Sequence, residues 1–149
     1  MRAIVVVLAL ALAGAASAAE RLSGRAHVLD GDTIAVGGVT VRLQGVAAPE
    51  LDHPNLGIKQ EPGGLEAAAF MRHLVEGRVV TCELTGERTH GREVGVCYRD
   101  GRDIGAAAIE AGLARDCPRF SQGRYAELER PAAKGLPLPS YCERRLRPG

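Results

Sequence analysis

The sequence has few of the residues that usually mark a binding partner. It has no Trp, two Phe and three Tyr, so aromatic surface for stacking against bases or other rings is scarce. Two of its nineteen basic residues are Lys, so seventeen are Arg. The formal net charge is only +1, which gives no bulk attraction for a polyanion. Any anion site must therefore be a local group of Arg side chains, which bind phosphate or carboxylate through paired hydrogen bonds.

The chain also lacks an apolar run that would span a bilayer comfortably. Its apolar N-terminus follows Met1 and Arg2, is too short for that role, and ends in the small residues Ala16, Ser17 and Ala18. This pattern predicts a secretory signal peptide over residues 1–18 and one domain over residues 19–149. The protein is then exported, to the periplasm or the medium. An uncleaved anchor is the alternative, whereas a lipid anchor has no nearby Cys for attachment.

Zinc-site spacing is absent, because no two of the four Cys form a C-x-x-C pair. An even number of Cys in an exported chain predicts two disulfides. Cys82 and Cys97 would face each other across a hairpin centred near Thr89 and His90, so we predict that they are joined. Cys117 and Cys142 then form the second pair and attach the C-terminal segment.

Alternating apolar residues predict five strands. Three form a meander and two follow later in the chain, over residues 22–29, 33–36, 39–46, 78–84 and 92–98. Arg42 lies on the face of the third strand opposite its apolar residues. The Pro- and Gly-rich residues 47–64 are predicted to be a loop.

Three helices are predicted between and after these strands. Ala67, Phe70, Met71 and Leu74 have helical spacing before Gly77. Asp103 is expected to cap a second helix, and Ser121 a third that Pro131 kinks or ends. The order of elements predicts an α+β fold: a five-stranded Greek-key β-barrel of the OB type with about three helices.

Three motifs carry the chemistry: "VLDGDTIAV", "VRLQGVAAPE" and "GERTHGREVGVC", in that order. Together they resemble the staphylococcal-nuclease-like (thermonuclease) family, whose pattern is V-x-D-G-D-T, then R-L-x-G-[IV]-D-A-P-E, then D-x-Y-G-R. The resemblance covers nearly all of the predicted mature chain. It implies an OB barrel that hydrolyses phosphodiester bonds in DNA and RNA with a calcium ion.

The resemblance also implies roles for five residues. Asp32 would be a metal ligand through its side chain and Ala48 through its carbonyl, Glu50 would activate water, and Arg42 and Arg92 would hold the phosphate. These residue types suit the reaction. Guanidinium groups stabilise charge on phosphate oxygens, a carboxylate accepts a proton from water, and calcium prefers oxygen ligands.

Two departures from the family pattern affect this site. Ala47 stands where the family has an Asp ligand, so calcium is expected to bind loosely and Ala47→Asp to tighten it. Asp30, Asp52 and His53 are the candidates to compensate. In the third motif Arg88 replaces an acid and His90 an aromatic residue, so the loop before Arg92 is expected to be held differently.

The leading prediction is an exported, metal-dependent nuclease that acts on DNA or RNA as a monomer, with Arg42 and Arg92 contributing more to rate than to stability. Two alternatives remain: a nucleic-acid-binding module without efficient hydrolysis, and a structural module of the envelope. Arg42 and Glu50 are alternatively a simple ion pair at the barrel rim. Phe120 and Tyr125 are the candidates for base stacking, with core packing as the alternative.

Overall fold

A computed structural model describes residues 18–143. The predicted signal peptide, apart from Ala18, lies outside this range. The strands are β1 Glu20–Asp30, β2 Thr33–Val36, β3 Val39–Leu43, β4 Val46–Ala47, β5 Val79–Thr89, β6 Arg92–Arg99, β7 Arg102–Asp103 and β8 Arg115–Asp116. Burial alternates with period two along β1, β3 and the first half of β5. All five predicted strands are present, but the third was predicted too long: it ends at Leu43, a turn with positive φ at Gly45 follows, and Val46 begins the separate strand β4.

Five of these strands close into a barrel. β1 pairs antiparallel with β2 and β5, β2 with β3, and β5 with β6. The parallel pairing of β3 with β6 closes the ring. Gly37 and Gly38, both with positive φ, form the tight turn of the β2–β3 hairpin. The predicted α+β fold with an OB-like barrel is confirmed.

Three α-helices accompany the barrel: α1 Gly64–Val75, α2 Ile104–Glu110 and α3 Pro118–Ser121. Short 3-10 turns occupy Pro54–Leu56, Pro131–Gly135 and Ser140–Cys142. α1 buries the apolar face that the spacing predicts and packs against β1. The predicted cap of α2 is confirmed, since the Asp103 carboxylate accepts hydrogen bonds from the Gly105 and Ala106 amides.

The prediction for the third helix was wrong. Ser121 ends α3 instead of capping a helix, and its hydroxyl accepts a hydrogen bond from the Gly123 amide. Gln122 and Gly123 both have positive φ, which breaks the helical path. Tyr125 turns into the core, where its hydroxyl donates to Asp103. Pro131 begins a 3-10 turn, a position where its missing N–H costs nothing.

Both predicted disulfides are present. Cys82 and Cys97 are directly opposed in the β5–β6 hairpin, with their Cα atoms 4.0 Å apart. Cys117 joins Cys142 with a Cα separation of 4.6 Å, which fixes the C-terminal segment beside α3. Within residues 18–143 none of the helices combines the length and the apolar character needed to cross a membrane.

Candidate active site

The turn between β1 and β2 lies against the loop that follows β4. A Cβ atom on Gly31 would lie 2.8 Å from the Cβ atoms of both Ala48 and Ala67, so only Gly fits between them. This close approach brings the acidic residues of the turn beside the start of the loop that carries Glu50. It also gives Ala48 a packing role, since a larger side chain would push the turn away.

Arg42 is fixed by several partners at the end of β3. Its Nη1 donates to the carbonyls of Val46 at 2.7 Å and Leu43 at 3.1 Å, and its Nη2 lies 3.2 Å from Asp32 Oδ2. Only 13% of the side chain is exposed. Burial acts to lower the pKa of Arg42, but the Asp32 carboxylate, the Tyr141 hydroxyl and Glu50 outweigh it and raise the pKa. The guanidinium is therefore a fixed positive charge, and its ion-pair partner is Asp32, not Glu50.

The two residues expected to bind calcium lie together, but the Asp32 carboxylate is already engaged. Asp32 Oδ1 accepts a hydrogen bond from the Thr33 hydroxyl at 3.1 Å, and Oδ2 accepts one from the Ala48 amide at 2.9 Å besides pairing with Arg42. Calcium takes about six to eight oxygen ligands. One partnered carboxylate and the Ala48 carbonyl do not fit a tight calcium site.

Ala47, where the family has its second ligand, faces an apolar cluster. It is 1% exposed and packs with Cys117, Cys142 and Leu138. The disulfide-linked C-terminal segment thus covers this position. Ala47 offers no oxygen from its side chain, and its surroundings suit a methyl group.

Glu50 lies close enough to Arg42, Asp32 and Asp30 for their charges to affect its carboxyl group. Burial raises the pKa of its carboxyl group, the negative charges of Asp32 and Asp30 raise it further, and Arg42 opposes them. The backbone is fixed, since the Glu50 amide donates to Glu61 Oε2 at 2.9 Å. Among residues 18–143 the Glu50 side chain has neither a hydrogen bond nor an ion pair. A carboxylate with a raised pKa and no internal partner is suited to take a proton from water.

Arg42 and Arg92 line the same groove, which has a volume of about 630 Å³. Arg92 is half-buried and donates from Nε to the Thr89 carbonyl at 3.3 Å. Glu50 does not line the groove. Arg42 therefore joins two regions: the groove that it shares with Arg92, and the carboxylates that include Glu50.

The loop before Arg92 is held by contacts specific to this chain. Arg88 pairs with Glu93 at 3.2 Å, and the Thr89 hydroxyl is 3.0 Å from His90 Nδ1. His90 and Gly91 have φ values of 50° and 76°, which makes the tight turn of the hairpin. The residues that depart from the family motif thus have local structural partners.

An aromatic pair borders the groove. Phe120 is 39% exposed, Tyr141 is 47% exposed, and their ring centroids are 6.4 Å apart. Tyr125, the other stacking candidate, is buried. Sequence reasoning missed Tyr141, although a signal existed: its neighbour Cys142 was already paired with Cys117 beside Phe120.

Two of the three candidates proposed to compensate for Ala47 lie beside Glu50. His53 Nε2 is 2.7 Å from Asp30 Oδ2, and Asp30 Oδ1 accepts a hydrogen bond from the Leu51 amide. One ligand atom each from Asp30, Glu50 and His53 lie within 4.8 Å of one another. The third candidate, Asp52, is exposed and lies outside this group.

Comparison with known proteins agrees with this architecture. A family described as staphylococcal nuclease homologue matches residues 40–134, which include Arg42, Glu50 and Arg92. The chain is also 38% identical over 133 residues to a protein named succinoglycan biosynthesis protein ExoI from Rhizobium meliloti (strain 1021), covering 85% of this chain and 69% of that relative. The chain therefore belongs to the staphylococcal nuclease family.

Proposed function

We propose that the protein is an exported nuclease that hydrolyses phosphodiester bonds in DNA or RNA. The observation that carries the proposal is the position of Arg42. It shares an open groove with Arg92 on one side and is electrostatically coupled to the partner-free carboxylate of Glu50 on the other. A phosphate at the Arg42 end of this groove would meet two guanidiniums, with the Glu50 carboxylate on the other side of Arg42.

The reaction follows from these groups. Water attacks phosphorus and loses a proton to Glu50, while the bond from phosphorus to the leaving oxygen breaks and that oxygen takes up a proton. Negative charge grows on the non-bridging oxygens as the attack proceeds. Arg42 and Arg92 stabilise that charge, and because Arg42 is already fixed, little reorganisation is required.

The domain bounds, the export of the protein and its oligomeric state belong to the same proposal. Residues 1–18 are a signal peptide, residues 19–149 are the nuclease domain, and the mature protein works as a monomer in the periplasm or the medium. The two disulfides suit such an oxidising compartment. Metal dependence is also part of the proposal. Calcium held by Asp32 and the Ala48 carbonyl would be bound weakly, because only one carboxylate is supplied there.

The test is hydrolysis of plasmid DNA and of a defined RNA by the purified protein, with calcium and with a chelator. Arg92→Ala should lower turnover by roughly 10²–10³, the usual effect of removing one such donor. Arg102→Ala is the matched control, because Arg102 is exposed on β7 and its side chain pairs with Glu110 alone among residues 18–143. Binding without cleavage would support the nucleic-acid-binding alternative. Neither binding nor cleavage would support a structural role.

A further inference from the structure

A second acidic region, distinct from Asp32 and Ala48, lies where β1 meets the loop after β4. It consists of Asp30, Glu50 and His53, whose ligand atoms lie within 4.8 Å of one another. Asp30 is 8% exposed, and the other two are partly buried. Glu50 and His53 belong to one loop three residues apart, and the fold brings Asp30, about twenty residues earlier in the chain, against them.

The loop is held so that these side chains stay in place. The His53 amide donates to the Ile58 carbonyl at 2.9 Å, and the Ile58 amide returns a bond at 3.3 Å. The Leu51 and Glu50 amides are held by the carboxylates of Asp30 and Glu61. A preformed arrangement of this kind lowers the entropy that a ligand must remove on binding.

Charge in this region also indicates a cation. The charges of Asp32, Asp30 and Glu61 all act on Glu50, and Arg42 opposes them. His53 lies 2.7 Å from Asp30 and adds a positive charge only when it is protonated. Arg42 is paired with Asp32. The Glu50 carboxylate has no hydrogen-bond donor within residues 18–143, although it is partly buried. A cation is what this carboxylate lacks.

We propose that Asp30, Glu50 and His53 bind a divalent transition-metal ion such as Zn²⁺ or Mn²⁺. Two carboxylates and one imidazole suit these ions, whereas calcium and magnesium prefer oxygen alone. Zinc ligands lie about 2.0–2.2 Å from the ion in a tetrahedron, which places them about 3.3–3.6 Å from one another. The Asp30 and His53 atoms, now 2.7 Å apart, would separate slightly, and the Glu50 carboxylate would move in from within the 4.8 Å spread. Three protein ligands also leave a position open for water.

The inference that this ion supports hydrolysis rests on the proposed function. The inference that the three residues bind the ion does not. A carboxylate has two oxygens, so ligation by one leaves the other to accept a proton. Glu50 can therefore still accept a proton, but a bound cation lowers the pKa of its carboxyl group, so the raised pKa belongs to the metal-free protein. The site differs from the calcium arrangement implied by the family resemblance in position, in ligand set and in preferred ion.

Calorimetry on the chelator-treated protein, with ZnCl₂, MnCl₂ and CaCl₂ added separately, tests the proposal. We expect one site that binds Zn²⁺ or Mn²⁺ at least tenfold more tightly than Ca²⁺. His53→Gln should weaken binding at least tenfold. His73→Gln is the matched control, because His73 is exposed on α1, and it should leave affinity unchanged.

Two further measurements keep the test decisive if His53→Gln folds poorly. Glu50→Gln leaves the imidazole intact and should also weaken binding at least tenfold. In the unaltered protein, paramagnetic Mn²⁺ should broaden the NMR signals of the His53 ring and spare those of His73. Calcium binding as tight as zinc, or equal broadening of both rings, overturns the inference. Metal binding without hydrolysis overturns the proposed function alone, and hydrolysis without transition-metal binding overturns this inference alone.

Discussion

At the scale of single residues, Arg42 has structural partners in addition to the phosphate-binding role proposed for it. Its ion pair with Asp32 is nearly buried, and it ties β3 to the Val46 carbonyl. The sequence alone predicts that its removal affects rate more than stability. The tertiary contacts change that expectation, because a buried pair that loses one partner leaves an uncompensated charge.

Arg42→Ala should lower the free energy of unfolding by about 3–5 kcal/mol, the usual cost of breaking a buried pair. The measurement is urea denaturation at neutral pH. Arg21→Ala is the control: that side chain is 72% exposed in its pair with Glu83, and its loss should change stability by less than about 1 kcal/mol. Equal, small losses for both variants would mean that the Arg42–Asp32 pair contributes little to folding.

Glu50 gives a prediction about pH. Burial and nearby carboxylates raise its pKa above the ordinary 4.5, so the folded protein holds this proton more tightly than the unfolded chain does. Stability from this group is therefore present below the ordinary pKa and is lost as pH rises through the raised one. Glu50→Gln should abolish hydrolysis yet increase stability at neutral pH, and the increase should vanish below about pH 4.5.

Denaturation of wild type and variant across this pH range measures the effect, with the exposed Glu127→Gln as control. In enzyme assayed without a transition-metal ion, the acid limb of kcat/KM should lie above the range of an ordinary Glu. A limb at the ordinary value, together with no pH-dependent gain in Glu50→Gln, would contradict the assignment of Glu50 as a buried base.

At the scale of elements, the short strand β4 explains the two alanines of "VRLQGVAAPE". β4 pairs with β8, which directs Ala47 to the cluster around the Cys117–Cys142 disulfide. The next residue, Ala48, packs against the turn at Gly31. Small side chains are required on both sides of this segment, whether or not a metal binds nearby.

Ala47→Asp tests this view. From the sequence alone the change restores a ligand and tightens calcium binding. In the fold it places a carboxylate among apolar neighbours, so we expect a loss of at least about 2 kcal/mol, typical of a buried unpaired polar group. Saturating calcium should not recover the loss. Thermal unfolding with and without calcium measures it, and Ala69→Asp on the exposed side of α1 is the control. Recovery by calcium would show that a site of the family type forms.

At the scale of the whole molecule, two cross-links have different positions relative to the groove. Cys82–Cys97 lies within the β5–β6 hairpin, whereas Cys117–Cys142 holds the C-terminal segment that places Tyr141 beside Arg42 and Phe120. Each closes a loop of moderate length, with sequence separations of 15 and 25 residues.

Replacing either Cys pair by Ser should reduce stability by roughly 3–4 kcal/mol, the entropy of closing loops of this size. The effects on hydrolysis should differ. Loss of Cys117–Cys142 releases the C-terminal segment that forms one wall of the groove. Turnover measured at a temperature well below the melting temperature should then fall, whereas loss of Cys82–Cys97 should leave it unchanged. Equal turnover in the two double variants would show that the C-terminal segment has no part in the site.

The sequence by itself determined the barrel, two of the three helices, both disulfides and the family, because these depend on local periodicity, capping and ordered motifs. It also indicated Arg42, Glu50 and Arg92, and it named Asp30 and His53 among the candidates to compensate. Only the tertiary structure decided which groups meet. Asp32 is paired with Arg42, and Ala47 faces a disulfide. Of the two loop candidates, it is His53 and not Asp52 that contacts Asp30. The physical reason is that side-chain partners are set by packing between distant segments, which no local pattern encodes.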